Sequence, residues 1–245
     1  MREQRQGWHR DGERHVEHVI QSRSFRSLGR ANSGAPSTLV VRPGRSVGDW
    51  DDYFSESRGA LLLEMIAAGD LAVNERDEFG HTPLMAAVEA KDLASMVRLI
   101  TLGANPNARG EDGSTCLSLA IHADCGEEVL STLVASGTDL ELESLGFFTP
   151  LALATANGNL RIMEYLLRHG ANIEARGEMG ETPLLEACGR GYVQAVALLL
   201  RFGANVSVLD QFGQDAFVHA KHVSQREGAV VSMLNEHLSR PNKTL

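Results

Sequence analysis

Residues 80–88 read GHTPLMAAV, and residues 180–188 read GETPLLEAC. Each stretch orders a turn and then a helix. Gly80 and Gly180 supply backbone that can take positive φ. Thr82 and Thr182 are residues whose hydroxyl can accept a first-turn N–H. Pro83 and Pro183 then fall at the first helical position, where a missing donor is harmless and φ is already set. One such element is a local detail; several at a fixed distance decide the fold.

The distance is fixed. Thr82, Thr115, Thr149 and Thr182 are spaced by 33, 34 and 33 residues, with Gly80, Gly113, Gly146 and Gly180 just ahead of them. A second series, Gly103, Gly137, Gly170 and Gly203, follows the apolar stretches MVRLIT, VLSTLVA, IMEYLLR and AVALLLR. Glycine directly after such a stretch is the usual left-handed stop of a helix. Each period therefore holds turn, helix, short link, helix, glycine stop and an extended run into the next turn. A period of this length is the signature of a stacked-repeat architecture.

Residues 77–109, DEFGHTPLMAAVEAKDLASMVRLITLGANPNAR, resemble an ankyrin repeat from end to end, as do 143–176 and 177–209. Residues 110–142 fit with Cys116 in place of the usual proline and with one extra residue in HADCGEE, which belongs in the inter-helix link. LGFFTP suggests a further extra residue, 147 or 148, at a hairpin tip. Residues 48–76 resemble a degenerate first unit, with SVGDWDDYFSES as its first helix, and 210–240 a polar terminal cap. The resemblance spans 48–240 and implies an all-α solenoid of stacked helix–turn–helix units with β-hairpin-like tips, leaving 241–245 as a tail. Short amphipathic helices agree with it. Each spans about two to three turns, too short to stand alone in water, so burial has to come from the neighbouring unit. Ala86, Ala87, Ala120, Ala154 and Ala187 are small enough to let successive helices approach.

Charge divides unevenly. Residues 1–45 carry nine Arg and four acids, net +5, and 46–245 carry 14 basic and 28 acidic residues, net −14, which together give the chain's −9. Residues 1–47 are basic, polar and weakly periodic, a composition expected to be disordered. Glu3, Asp11, Glu13 and Glu17 speak against an organelle presequence there, and the same basic tail could bind an acidic partner or the array. An array at −14 argues against nucleic acid at its face and favours a basic or mixed basic-apolar protein surface. Cys116, Cys125 and Cys188 have neither disulfide nor zinc spacing and fit a reducing, cytoplasmic compartment. No run reaches the ~20 apolar residues of a membrane span. His219 and His222 lie three apart without a third ligand nearby, and no phosphate-loop, nucleophile-elbow or metalloprotease motif occurs. The expectation is a chain that is not an enzyme, takes no cofactor and no metal, and is monomeric.

What the resemblance implies about function lies at the hairpin tips and the exposed face of each first helix, which in this family line a groove that binds proteins. On this sequence the tips are Glu78, Phe79 and His81; Glu111, Asp112 and Ser114; Leu145, Phe147 and Phe148; Glu178, Met179 and Glu181; and Gln211, Phe212 and Gln214. The first-helix positions are Glu89, His122, Asn157, Arg190 and His222. Aromatic tips framed by carboxylates read as a partner-binding surface; where they are repeated, as at Phe79 and Phe212, they could equally pack on neighbouring hairpins. The implied function is a protein–protein interaction module, or, as the alternative, an inhibitor or immunity-type protein occluding the active site of an enzyme or toxin.

Overall fold

The computed structural model describes residues 50, 54, 59–144, 146, 148–221 and 227–239. All of them fall in one unit of the chain, 46–245. The basic segment 1–47, the tail 241–245 and the tip residues Leu145 and Phe147 lie outside the described residues.

Eleven helices are described: α1 (Gly59–Ala68), α2 (Pro83–Glu89), α3 (Leu93–Thr101), α4 (Cys116–His122), α5 (Glu127–Ala135), α6 (Pro150–Ala156), α7 (Leu160–Arg168), α8 (Pro183–Arg190), α9 (Val193–Arg201), α10 (Ala216–Ala220) and α11 (Glu227–Ser239). Of the expected first helix at 46–57, Trp50 and Phe54 are helical and the rest lies outside the described residues. The first helices α2, α4, α6, α8 and α10 pack one on the next, and second helices pair as α1 with α3, α3 with α5, α7 with α9 and α9 with α11.

The column Ala87, Ala120, Ala154, Ala187 and Ala220 is fully buried and sets the close approach of the first helices. A second column, Leu99, Leu133, Leu166 and Leu199, is 0% exposed on the second helices. Burial thus repeats with the sequence period, as a stack held by nearest neighbours requires. Thr82, Thr115 and Thr149 accept an N–H from the third residue of the helix that follows, and Thr115 completes a reciprocal capping box with Ser118 at 2.9 and 3.1 Å. Thr182 does not: its hydroxyl is buried without a hydrogen-bond partner. Gly103, Gly137, Gly170 and Gly203 take φ of 93, 87, 90 and 89°, the left-handed stop expected of them.

The five tips close alike, each through an N–H donated to the carbonyl four residues on: Asp77 to His81, Gly110 to Ser114, Ser144 to Phe148, Gly177 to Glu181 and Asp210 to Gln214. The expected extra residue at 147 or 148 is therefore absent. Tip 144–148 has the common length with its glycine moved to 146, at φ 73°. The extra residue of that period sits in the link between α4 and α5, where residues 123–126 replace a three-residue link such as 90–92. Cys125 of that link is buried while Ala123, Asp124 and Gly126 reach the surface, where a connection lengthens at little cost.

Candidate functional site

Two hydrogen-bonded series hold the extended segments in place. In the first, Asn105, Asp139, Asn172 and Asn205, each two residues past a stop glycine, accept the N–H two residues on at 2.9–3.0 Å, an Asx turn. The side chain at that second residue in turn accepts from the next repeat: Asn107 from the Asp139 N–H at 2.8 Å, Glu141 from Asn172 and Glu174 from Asn205, both at 2.7 Å. In the second series, arginine guanidinium groups clip tip to tip. Arg76 Nη1 donates to the carbonyls of Gly80 and Arg109 at 2.7 Å, and Arg176 Nη1 to those of Gly180 and Leu209 at 2.9 Å. Arg109 reaches the Glu143 carbonyl at 2.5 Å. Between neighbouring tips the Phe79 carbonyl accepts the Glu111 N–H at 3.3 Å and the Met179 carbonyl accepts that of Gln211 at 3.0 Å. These bonds join the first tip to the second, the second to the third and the fourth to the fifth.

The row of tips sorts the expected tip residues. Glu78, Glu111, Asp112, Glu178 and Gln211 are exposed, and Phe212 is 58% exposed. Phe79, Met179, Glu181 and Gln214 are half-buried. Phe148 is also half-buried and packs against the core, so it is not the outward-facing aromatic expected at this tip. The Glu181 carboxylate lies back over Gly177, where a Cβ would meet its Oε1 at 2.8 Å.

His81 and Ser114 depart furthest from expectation: they are 2% and 0% exposed. A tip has an outer side and a side turned to its neighbour, and position 81 of one tip meets position 114 of the next. There His81 Nε2 is 3.1 Å from Ser114 Oγ and 3.6 Å from Asp112 Oδ1, and the Trp50 indole N–H donates to the His81 carbonyl at 2.9 Å. Serine, histidine and aspartate together suggest a nucleophilic triad, but the geometry is wrong for one. Serine and carboxylate approach the same ring nitrogen, whereas a triad places the carboxylate on Nδ1, and a serine without exposure meets no substrate. The cluster joins two tips. Burial pushes the Asp112 carboxyl up, but hydrogen bonds from His81 and Ser114 outweigh it and hold the group well below the usual carboxylate range.

On the first helices the register also needs correction. Seven residues past Thr82 and Thr115 stand Glu89 and His122, and the same count past Thr149 and Thr182 reaches Ala156 and Gly189. Asn157 is instead the C-cap of α6, and Arg190 ends α8, paired with Glu186 at 2.5 Å. Gly189 faces His219 of α10, at 3.4 Å from where its Cβ would lie. His222 lies outside the described residues, and His219 Nε2 is 3.0 Å from Asp210 Oδ2. Among the described residues no three His, Cys, Asp or Glu side chains are grouped to hold a metal ion. Cys116, Cys125 and Cys188 are free and buried, and burial pushes the thiols of Cys116 and Cys188 up to about 12. No described helix is long and apolar enough to cross a membrane.

The architecture is that of a repeat solenoid whose tips form an acid-rich row. Two family models match the chain: "Ankyrin repeats (3 copies)" over residues 127–210 and "Ankyrin repeat" over residues 79–111. The chain belongs to the ankyrin-repeat family, whose repeats are in general protein–protein interaction modules. Among solved structures, the ankyrin repeat domain of Bcl-3 superposes with a TM-score of 0.71 at 24% identity, covering 79% of this chain and 87% of that one. Among curated proteins, the human transient receptor potential cation channel subfamily A member 1 is 30% identical over 49% of the chain. Human ankyrin repeat domain-containing protein 63 is 37% identical over 38%, and glycerophosphocholine phosphodiesterase gde1 of Schizosaccharomyces pombe is 32% identical over 62%. The matched stretches make up 11%, 25% and 13% of those proteins, so the chain spans at most a quarter of these relatives.

Proposed function

We propose that this array is a non-catalytic module that binds a partner protein through its row of tips, and that the partner presents a basic or mixed basic-apolar surface. The observation that carries the reading is the side of the row turned to solvent. It offers Glu78, Glu111 and Glu178, with Phe79 and Met179 half-exposed among them and Phe212 at the end, on a unit of net charge −14. Charge of one sign spread along a row speeds encounter with the opposite sign and selects against acidic surfaces. The aromatic and thioether groups supply apolar area once water is excluded. Buried thiols with raised pKa suit a reducing cytoplasm, where they stay inert. A monomer with its tip row free is the form that would bind.

The test is capture of partners from native lysate on the whole chain, beside a variant carrying Glu78→Arg, Glu111→Arg and Glu178→Arg. The reading expects a basic protein held by the first, lost by the second and released by salt, since exposed charges are screened over about 8–10 Å at physiological ionic strength. A partner held equally by both, or one that is acidic, contradicts it.

A further inference from the structure

The tip row is closed at one end and open at the other. At the first tip Trp50 covers the edge, with its backbone N–H on Asp77 and its indole N–H on the His81 carbonyl. At the last, 210–214, α11 packs on α9 and α10 and so closes the helical layers, but no further tip follows among the described residues. The Phe212 carbonyl stands where those of Phe79 and Met179 accept a neighbouring N–H, and the Gly213 carbonyl where those of Gly80 and Gly180 accept a guanidinium. No donor among the described residues reaches either one. The residue that would supply the guanidinium is Arg76 in the first tip and Arg176 in the fourth, but Leu209 in the last. Leu209 is 48% exposed and Phe212 is 58% exposed.

We propose that this open tip is the docking site for an arginine on a loop of the basic partner, seated as Arg76 and Arg176 seat within the array. The proposal rests on the function inferred above and names the group recognised. The array itself shows twice what fits. One guanidinium nitrogen takes the carbonyl of the tip glycine and that of the residue ahead of the next tip, at 2.7 Å in one case and 2.9 Å in the other; past 210–214 no next tip is described, so the glycine carbonyl is the half of that seat the last tip offers. An arginine delivered from outside finds the Gly213 carbonyl unoccupied, Leu209 to receive its methylene stem and the Phe212 ring to receive the face of its cation. Lysine carries a strongly hydrated point charge with no planar face to lay on the Phe212 ring, so it matches carbonyl and ring together poorly. The unit's charge of −14 favours either cation; only the local geometry favours arginine.

The probe is the peptide acetyl-Gly-Leu-Arg-Leu-Gly-amide, with a lysine version as its control, titrated into the full ¹⁵N-labelled chain. The result expected is movement of the amide signals of Phe212, Gly213 and Gln214, with the arginine peptide about fivefold or more tighter than the lysine one. Leu209→Arg should fill the carbonyl from within and abolish binding while leaving thermal stability unchanged or higher. Phe212→Ser should weaken binding by a similar factor. Equal binding of both peptides with shifts spread over Glu78, Glu111 and Glu178 overturns the proposal, as does undiminished binding to the Leu209→Arg variant. So does self-association of the chain abolished by Phe212→Ser, which would make a second copy the occupant. Capture of the partner separates this proposal from the reading beneath it. Capture lost with the Glu78, Glu111 and Glu178 changes but untouched by Leu209→Arg sinks the open-tip site alone. Capture untouched by either sinks both.

Discussion

Leu166 lies in α7 with 0% exposure, in the column it forms with Leu99, Leu133 and Leu199. Replacing it by alanine removes three carbon atoms from the packed seam of a central repeat. Truncation of a buried leucine in this way costs about 2–5 kcal/mol, from lost transfer free energy and from the cavity left behind. The short helices on either side limit how far the seam can collapse, so a value near the middle, about 3.5 kcal/mol, is expected. For a unit of this size each kcal/mol lowers Tm by about 2–4 °C, so the variant should melt about 7–14 °C below the parent. Val97→Ala is the control. Val97 is 50% exposed on α3, so its truncation should stay within about 0.5 kcal/mol. Both variants are read by circular dichroism at 222 nm and by urea titration. A shift below about 2 °C for Leu166→Ala, or equal shifts for the two, would refute the claim that the second-helix column carries the stack.

Thr115→Val should cost about 1 kcal/mol because it breaks the capping box with Ser118, while Thr182→Val should be neutral or stabilising because that hydroxyl has no partner; parallel thermal melts compare them. Gly80→Ala should destabilise more than Gly103→Ala. Both carry positive φ, at about 1–2 kcal/mol for a side chain there, but a Cβ at 80 would also lie 2.5 Å from Glu111 Cγ and 2.9 Å from its backbone nitrogen, while one at 103 meets open space; urea midpoints of the two variants decide. Asp210 supplies a pH dependence. Burial pushes its carboxyl up, but the Gln214 N–H, His219 and the Phe212 N–H outweigh burial and leave it below its ordinary value. A depressed folded-state pKa adds stability above the unfolded value, about 3.9, and that stability fades as pH falls through the folded one. The stability gap between the parent and Asp210→Asn should therefore be full at pH 6 and shrink below about pH 4; a gap that does not change with pH contradicts this.

The repeat was legible because its markers are local. Gly80, Thr82 and Pro83 constrain their own backbone, so the period, the helices and the left-handed stops could be read without any neighbour. The tip sides were harder. Whether His81 faces solvent depends on where Ser114 of the next tip falls, and such a pairing across repeats leaves no mark within either one. The shifted Gly146 mimics an added residue in the sequence, because the tip's length is set by the Ser144–Phe148 hydrogen bonds and not by where its glycine falls. Arg190 lies one place past the repeat register because α8 runs on to it before Gly191 ends the helix, at φ 68°, and Asn157 lies one place past it as the C-cap of α6. Arg76, Arg109 and Arg176 were visible at the repeat spacing, and so were the Asx residues behind the stop glycines. Exposed polar residues ordinarily read as solvated, and only their partners show that they join repeats.

The central claim is that the tip row holds a basic protein by its outward carboxylates. Isothermal titration of the captured partner against the whole chain, repeated between 50 and 300 mM salt, tests it most directly. The account predicts an affinity that falls steeply with salt for the parent, and both a weaker affinity and a flatter salt dependence when Glu78, Glu111 and Glu178 are changed to glutamine. An affinity insensitive to salt, or a glutamine variant that binds as the parent does, would contradict it.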